Sequence, residues 1–138
     1  ITHWSYFEDW DPYRNYLIAK KFCGLKESKE NNIGTFTNFA QNDQALVALH
    51  TYLMYLKFGF GRATADACIE VRRGAMDRNQ AITLVRLYDG LLPKEFIDIY
   101  LDYFKMNKSK FYSTLFKHAN KSLFKKINNL IEPKVRLS

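Results

Sequence analysis

The stretch DQALVALHTYLMYLKFG, residues 43–59, decides the fold because its apolar residues recur at helical spacing on more than one side. One apolar stripe comprises Ala45, Leu49, Tyr52, Leu53 and Leu56, and a second comprises Val47, Met54 and Phe58. A helix that is apolar on two sides is expected to lie inside its domain. We therefore predict that residues 45–58 form the central buried helix.

Two polar residues interrupt this apolar surface. His50 and Lys57 fall on one stripe with Leu46 and Leu53. The simplest interpretation of His50 is a core histidine whose ring nitrogens are hydrogen-bonded. Lys57 stands near the end of the helix, where a cation gains from the helix dipole. The alternative for both residues is a role in binding.

The segment KFGFGRATADACIEVRRG, residues 57–74, follows directly and predicts a loop and then a short helix. Thr64 suits the N-cap of that helix, and Gly74 suits the position just past its end. Arg62 then stands beside the positive end of the macrodipole, which costs up to ~1 kcal/mol. An anion at this position would reverse the sign, so we expect one nearby.

A row of charged residues continues along this helix. Arg62, Asp66 and Glu70 are spaced four residues apart and can face one way. The simpler interpretation is a ladder of ion pairs, each worth a few tenths of a kcal/mol. The functional one is a row lining a site, where Gly59 and Gly61 let the backbone approach an anion closely.

Boundary signals elsewhere predict further helices and a long loop. The helix signals are Asp11 before Pro12 with a stop at Gly24, a capping box of Asp77 and Gln80, Pro93 at a first helical position, and the cap Asn107. The polar residues 26–44 are expected to form a long ordered loop with at most one extended stretch. Apolar residues repeat at helical spacing from 111 to 131, and no β-sheet signal is present. A mostly α fold of roughly five to seven helices follows.

Length and composition predict one compact domain over residues 1–138, since 47% of the residues are hydrophobic. Cys23 and Cys68 lie far apart without C-x-x-C spacing, so we expect two reduced, packed thiols. No apolar run reaches the ~20 residues of a membrane span, and no secretory leader opens the sequence. A cytoplasmic protein is expected.

The net charge of +7 is unevenly placed. Residues 105–138 hold nine Lys or Arg against Glu132 alone, which gives +8, whereas residues 1–104 hold 12 basic and 13 acidic residues. We expect residues 105–138 to form a basic helical extension. Its lysines suit a solvated surface, or a binding module for nucleic acid or an acidic protein.

Several catalytic signatures are absent from the sequence. It holds no G-x-x-x-x-G-K-[ST], G-x-G-x-x-G, H-E-x-x-H or G-x-S-x-G motif, and His3, His50 and His118 are dispersed. The residues therefore identify no metal site and no catalytic group.

Five consecutive motifs resemble the C-terminal motifs of bacterial N-acetyl sugar amidotransferases. They are YFEDWDPYRNY, GTFTNFAQND, LHTYLMYLKFGFGRATADACIEVRRG, DRNQAITLVRLYDG and PKEFIDIYLDYF. The resemblance runs from about Tyr6 to Phe104, so residues 1–104 are family-like, and it fades past Asn107. The core KFGFGRAT-x-DA-x-x-E-V-R-x-G is its most specific part.

The resemblance implies the PP-loop ATP-pyrophosphatase group, in which an α/β ATP-binding domain precedes the helical part. That domain carries an S-G-G-x-D-S loop and follows cysteine motifs, neither of which is in this sequence. We therefore expect the chain to be the C-terminal part of such an enzyme, beginning just after the nucleotide-binding sheet and inactive by itself.

The resemblance also implies a reaction in surface-polysaccharide, LPS or nonulosonic acid biosynthesis. An acetamido group on a sugar or sugar nucleotide would become an acetamidino group. Its oxygen would be activated by adenylylation, and ammonia from a glutaminase subunit would displace AMP. ATP and Mg²⁺ would bind mainly outside this chain, while nucleic acid would not be a partner.

Ten residues match the family pattern position by position and are the candidate substrate- or phosphate-binding residues: His50, Lys57, Gly59, Gly61, Arg62, Thr64, Asp66, Glu70, Arg72 and Arg78. Arg62 would hold a phosphate, an acidic sugar's carboxylate or pyrophosphate. The resemblance assigns no catalytic residue. A helical lid that closes the ATP-binding domain without touching substrate is a further alternative.

Overall fold

The fold is mostly α, as predicted, with six α-helices and one β-hairpin in the described part of the chain. In this computed structural model the described residues are 1–42, 45–127 and 130–135. The helices are α1 (Pro12–Cys23), α2 (Ala45–Phe58), α3 (Arg62–Arg72), α4 (Arg78–Tyr88), α5 (Ile97–Tyr103) and α6 (Lys108–His118). Strands β1 (Phe124–Ile127) and β2 (Leu130–Pro133) complete the fold, and short 3-10 turns occupy Trp4–Tyr6 and Lys94–Phe96. Asp43 and Gln44, predicted at the start of α2, and Arg136 of the basic segment lie outside the described residues.

The hydrophobic core forms around α2, which packs against α6. Its buried members come from α2, α5, α6 with the residue that follows it, and β1: Leu49, Tyr52, Leu56, Tyr100, Phe111, Leu115, Ala119 and Phe124. The Tyr100 hydroxyl, buried at the centre, donates a 2.6 Å hydrogen bond to the carbonyl oxygen of Ala45. The prediction that α2 is the central helix is confirmed.

The prediction that α2 is buried on both sides is wrong. Leu46, His50, Leu53 and Lys57 form an exposed stripe, and Phe58 is also exposed. Consequently His50 is not a core histidine. Partner elements cover one face of α2 in this chain, and apolar periodicity cannot tell which faces will find a partner.

Most local boundary signals are confirmed. Asp11 accepts a hydrogen bond from the Arg14 amide at 2.9 Å, and Asn107 accepts one from the Lys110 amide at 2.8 Å. Asp77 and Gln80 form the predicted capping box. Pro93 departs from prediction, because a 3-10 turn rather than an α-helix follows it.

The start of α3 lies earlier than predicted. Gly61, not Thr64, is the N-cap, and Arg62 is the first helical residue. Thr64 is inside the first turn and donates to a distant carboxylate instead of capping locally. Past the other end of the helix, Gly74 has a φ of +76°, in agreement with its predicted role.

The C-terminal region corrects the prediction of a continuous helical extension over residues 105–138. After α6, an antiparallel hairpin pairs Phe124 with Pro133 and Lys125 with Glu132. Phe124 is buried while the next three residues of β1 are exposed. The apolar residues of 123–131 fit a helical repeat as well as a hairpin, and the cross-strand pairing of opposite charges favours the latter.

Both thiols are free, but neither is packed as expected. Cys23 ends α1 and Cys68 lies on α3, and both are exposed. Among the described helices, none combines the length and the apolar character that crossing a membrane requires.

Candidate substrate-binding site

The candidate site is built around the turn that joins α2 to α3. Gly59 has a φ of +83°, a conformation that favours glycine. Gly61 is buried and has no room for a side chain, because an added Cβ would lie 2.8 Å from a carboxylate oxygen of Asp89. The structure therefore explains why glycine occupies both positions. At Gly61 the group that lies close to the backbone is the Asp89 carboxylate of this chain and not a ligand.

Asp89 supplies the anion that the start of α3 was expected to require. Its carboxylate accepts hydrogen bonds from the Gly61 amide at 2.8 Å and the Thr64 amide at 3.3 Å. The Thr64 hydroxyl donates to it as well. A carboxylate at this position is stabilised by the helix dipole. The Ala63 amide donates to the Gly34 carbonyl at 2.9 Å, so protein groups already occupy much of this helix terminus.

Arg62 is held by two side chains. Its Nε lies 3.4 Å from Asp66 Oδ2, and its Nη1 donates to Gln41 Oε1. The same Asp66 oxygen accepts a 2.6 Å hydrogen bond from the hydroxyl of Thr35, which is fully buried. Thr35, Asp66, Arg62 and Gln41 thus form a chain of contacts that fixes the guanidinium against the preceding loop.

The loop predicted over residues 26–44 is ordered by its own polar groups over the described residues 26–42. The Asn32 amide donates to the Thr37 carbonyl at 2.8 Å, and the Asn32 side chain donates to the Ala40 carbonyl at 2.6 Å. The Asn38 side chain reaches the Ser28 carbonyl at 3.0 Å. Hydrogen bonds within the chain therefore hold the loop in one conformation beside Arg62.

The predicted charge row is split between two arginines. Asp66 contacts Arg62, whereas Glu70 contacts Arg73 at 2.7 Å, and Arg73 also reaches Asp11 at 2.9 Å. The hydrogen bond with Glu70 is the main reason that the pKa of Arg73 is raised. The pKa of Asp11 is lowered, chiefly by the hydrogen bond from the Arg14 amide and also by Arg73. Arg73 was not among the predicted residues, yet it connects α3 to α1.

The remaining candidates, His50, Lys57, Arg72 and Arg78, make no side-chain hydrogen bond or ion pair with the residues around Arg62 in the described part of the chain. Arg72 is at the end of α3 and Arg78 at the start of α4, both exposed and without a side-chain hydrogen bond or ion pair to the described residues. His50 and Lys57 share the exposed stripe of α2, where Lys57 Nζ lies 5.2 Å from the centre of the Phe58 ring.

The structure brings together four predicted residues and four that were not predicted. The predicted ones are Gly61, Arg62, Thr64 and Asp66, and the others are Gly34, Thr35, Gln41 and Asp89. Three of the latter, Gly34, Thr35 and Gln41, belong to the GTFTNFAQND motif. Their place in a family-like motif was the sequence signal that could have identified them. Asp89 lies in the motif DRNQAITLVRLYDG, where its spacing gives no sign of a contact with the start of α3.

The site offers no metal centre within residues 1–42, 45–127 and 130–135. No group of three or more His, Cys, Asp or Glu side chains there is arranged to hold a metal ion. Arg62 is the charged group most firmly positioned beside the loop, so the chemistry that this arrangement supports is the binding of an anion.

Comparison with known families places the chain among LPS biosynthesis proteins. A family model described as "LPS biosynthesis protein WbpG-like, C-terminal domain" matches residues 33–136. No curated protein matches the chain. The matched region begins at Ile33 rather than near Tyr6, and it continues past Asn107 through α6 and the hairpin, so the basic C-terminal segment is part of the family domain.

Proposed function

The chain belongs to the WbpG-like C-terminal domain family of LPS biosynthesis proteins, and we propose that it is the C-terminal portion of an ATP-dependent N-acetyl sugar amidotransferase. In this proposal the full-length enzyme converts an acetamido group to an acetamidino group on a bacterial surface-glycan sugar. The family match and the amidotransferase-like motifs across α2, α3 and α4 support it.

The observation that carries the proposal is the geometry of Arg62. Asp66 and Gln41 engage its Nε and Nη1, while its Nη2 makes no hydrogen bond to the described residues. A guanidinium whose orientation is fixed loses little further entropy when it binds a carboxylate or phosphate. We assign it the phosphate or the carboxylate of the sugar substrate, with Asp66 and Thr35 as positioning residues.

Asp89 changes how this anion would be bound. The amides of Gly61 and Thr64 are already hydrogen-bonded to its carboxylate, so these amides are not free for a substrate phosphate. Binding would rest on the Arg62 side chain rather than on these helix amides. The negative charge of Asp89 also disfavours a second anion at the helix start, which directs the substrate toward the loop side of Arg62.

ATP and Mg²⁺ are proposed to bind mainly outside this chain. The sequence has no S-G-G-x-D-S loop, and the described residues hold no cluster of metal ligands. ATP supplies the activation that turns the amide oxygen into a leaving group, and a glutaminase partner supplies ammonia. Within this chain, the proposed role is to bind and orient the sugar.

Replacing Arg62 with Ala in the full-length enzyme tests the proposal. If the guanidinium holds the substrate anion, turnover should fall by a factor on the order of 100 while the melting temperature changes by a few degrees at most. Arg86→Ala is the matched control, because Arg86 is exposed on α4 and lies outside the cluster. Unchanged kinetics with a clear loss of stability would make Arg62 a structural link between α3 and the loop, and would refute its assigned role.

A binding module is the second candidate function, favoured by exposed lysines in and around α6 and the hairpin. These are Lys108, Lys110, Lys117, Lys121, Lys125, Lys126 and Lys134. Affinity for an acidic protein or nucleic acid through them would fall steeply with salt and would not depend on Arg62. Two results with the Arg62→Ala variant would favour this candidate. The variant would still bind such a partner, and its turnover of the sugar substrate would be normal.

A further inference from the structure

The first 32 residues expose an unusual amount of apolar surface. None of them is buried, although the segment contains both tryptophans of the chain. Its exposed large apolar residues are Ile1, Trp4, Tyr6, Phe7, Trp10, Tyr13, Leu17, Ile18 and Phe22. An exposed apolar surface of this size marks an interaction site in most soluble proteins.

Helix α1 is fixed to the rest of the chain by one side. The ring of Tyr16 stacks on that of Phe39 with 4.4 Å between ring centres, and Asp11 pairs with Arg73 at 2.9 Å. By contrast, the side chains of Leu17, Ile18 and Phe22 stay exposed, at 47%, 50% and 72%. The helix is therefore held in one orientation and presents apolar residues to something else.

Two independent boundaries coincide after this segment. The family match begins at Ile33, and the first buried residue of the chain is Gly34. The family is described as a C-terminal domain, so another region precedes that domain in proteins of this family. Residues 1–32 lie on the N-terminal side of both boundaries, where a region that precedes the family domain would meet it.

We propose that residues 1–32 are an interdomain docking segment, whose apolar side chains pack against the domain that precedes this one in the full-length protein. The residues buried there would be Trp4, Phe7, Trp10, Leu17, Ile18 and Phe22. This inference rests on the family membership and on burial, and it does not depend on the amidotransferase reaction.

Charge places no sign on the opposing surface, because residues 1–32 carry five acidic and five basic side chains. Two of the acidic ones are already paired within the chain, Glu8 with Arg14 at 3.0 Å and Asp11 with Arg73 at 2.9 Å. The complementary surface is therefore mainly apolar. The description of the family as a C-terminal domain favours the preceding region over a second copy as its occupant.

The exposed area is large enough for a stable interface. Six of the nine residues are aromatic, and an aromatic side chain can bury about 150–250 Å². Because all nine are about half exposed or more, together they present on the order of 1,000 Å². A standard-sized interface buries about 800 Å² on each partner.

Thiol labelling of the full-length protein tests the docking segment. We would introduce Ile18→Cys or Leu87→Cys, one at a time, into a background in which the exposed Cys23 and Cys68 are replaced by Ser. Maleimide modification of the added thiol would be followed by peptide mass spectrometry, in native buffer and in urea. Leu87 is the matched control, since it is an aliphatic residue on a helix surface that is 59% exposed, against 50% for Ile18. The Ile18→Cys thiol should be modified more slowly in native buffer than in urea by about tenfold or more, because docking must open before the reagent reaches it.

The labelling rates distinguish three states of the docking segment: uncovered, covered by a second copy, and covered by the preceding domain. Modification of Ile18→Cys at its urea rate would overturn the proposal. Protection that disappears on dilution, with a matching fall in molar mass by light scattering, would mean that a second copy covers this face. Concentration-independent protection of Ile18→Cys supports the preceding domain as the partner. None of these results uses turnover, so a failure here and a failure of the proposed function are distinguishable.

Discussion

Residues 1–32 and residues 33–135 are both rich in aromatic side chains, yet they use them differently. The first region holds seven of the 22 aromatic residues and buries none of them. In the second region Tyr52, Tyr100, Phe111 and Phe124 are buried together. A core requires apolar groups to be covered from several directions, which α5, α6 and β1 do for α2 and which a single loop contact does not do for α1.

The same difference appears in the hydrogen bonds. Within residues 33–135, long-range contacts join the Thr35 hydroxyl to Asp66, the Gly61 amide to Asp89, and the Asn120 amide to the Leu56 carbonyl. Residues 26–32 share in these contacts, since the Ser28 amide donates to the Asn38 carbonyl at 2.8 Å. Residues 1–25, by contrast, are joined to α3 by the ion pair of Asp11 with Arg73. The larger region is therefore expected to unfold as one cooperative unit, with residues 1–25 opening at lower free energy.

The largest expected effect comes from truncating one leucine in each region. Leu49→Ala removes a buried side chain from the core and should lower the free energy of unfolding by ~2–5 kcal/mol. Leu17→Ala, on the exposed side of α1, should change it by less than ~1 kcal/mol. Urea denaturation followed by circular dichroism measures both. Equal losses would mean that the isolated chain has one continuous core, contrary to the comparison.

Alkaline pH should act on the core region next. Burial is the main cause that raises the pKa of Tyr52 and of Tyr100, each to about 12, from an ordinary value of 10.0. Because the folded state favours the protonated phenols, their contribution is fully present below pH 10 and is lost as the pH rises toward 12. For Tyr52 this amounts to roughly 3 kcal/mol.

Replacing Tyr52 with Phe removes one of the two titrating groups and should flatten the decline in stability above pH 10. Tyr6→Phe is the control in the N-terminal region, since Tyr6 is exposed and should leave the profile unchanged. The measurement is the urea midpoint at a series of pH values. An identical decline in wild type and Tyr52→Phe would show that the phenol is not the source.

The smallest expected effect concerns two aspartates whose carboxylates accept hydrogen bonds from amides at the start of a helix. Asp89→Ala removes the cap of α3 within the core region and should lower the free energy of unfolding by ~1–2 kcal/mol. Asp11→Ala removes the cap of α1 and should have a smaller effect, because α1 contributes no buried residue. Global denaturation compares the two variants. A larger loss for Asp11→Ala would mean that α1 is part of the cooperative core after all.

Part of the candidate site was within reach of sequence reasoning. The placement of Arg62 beside Asp66, and of the glycines at the turn, follows from spacing along one segment. The contacts of Thr35 and Gln41 with that segment were not predicted, because the length of the intervening loop says nothing about where it docks. Their roles in substrate binding stay predictions for the Arg62 experiment to test.

What the sequence determined by itself is the local structure at helix ends. Asp11, Asp77 and Asn107 each bind an amide three residues further along the chain, so the residue types alone specify the cap. Glycines at 24 and 74 end or follow their helices with positive φ for the same local reason. The central position of α2 was also readable, since a helix so rich in apolar residues must be covered on at least one face.

The tertiary structure alone decided which partner each surface and each polar group found. Asp89 caps α3 from 28 residues further along the chain, and one stripe of α2 stays exposed although it carries Leu46 and Leu53. The apolar residues of 123–131 fold into a hairpin because two contacts favour it over a helix with the same spacing. Phe124 packs into the core beside α2 and α6, and Lys125 pairs with Glu132 across the strands. The spacing of apolar residues along the sequence indicates which side chains favour burial. Which surface covers them depends on contacts between residues far apart in sequence.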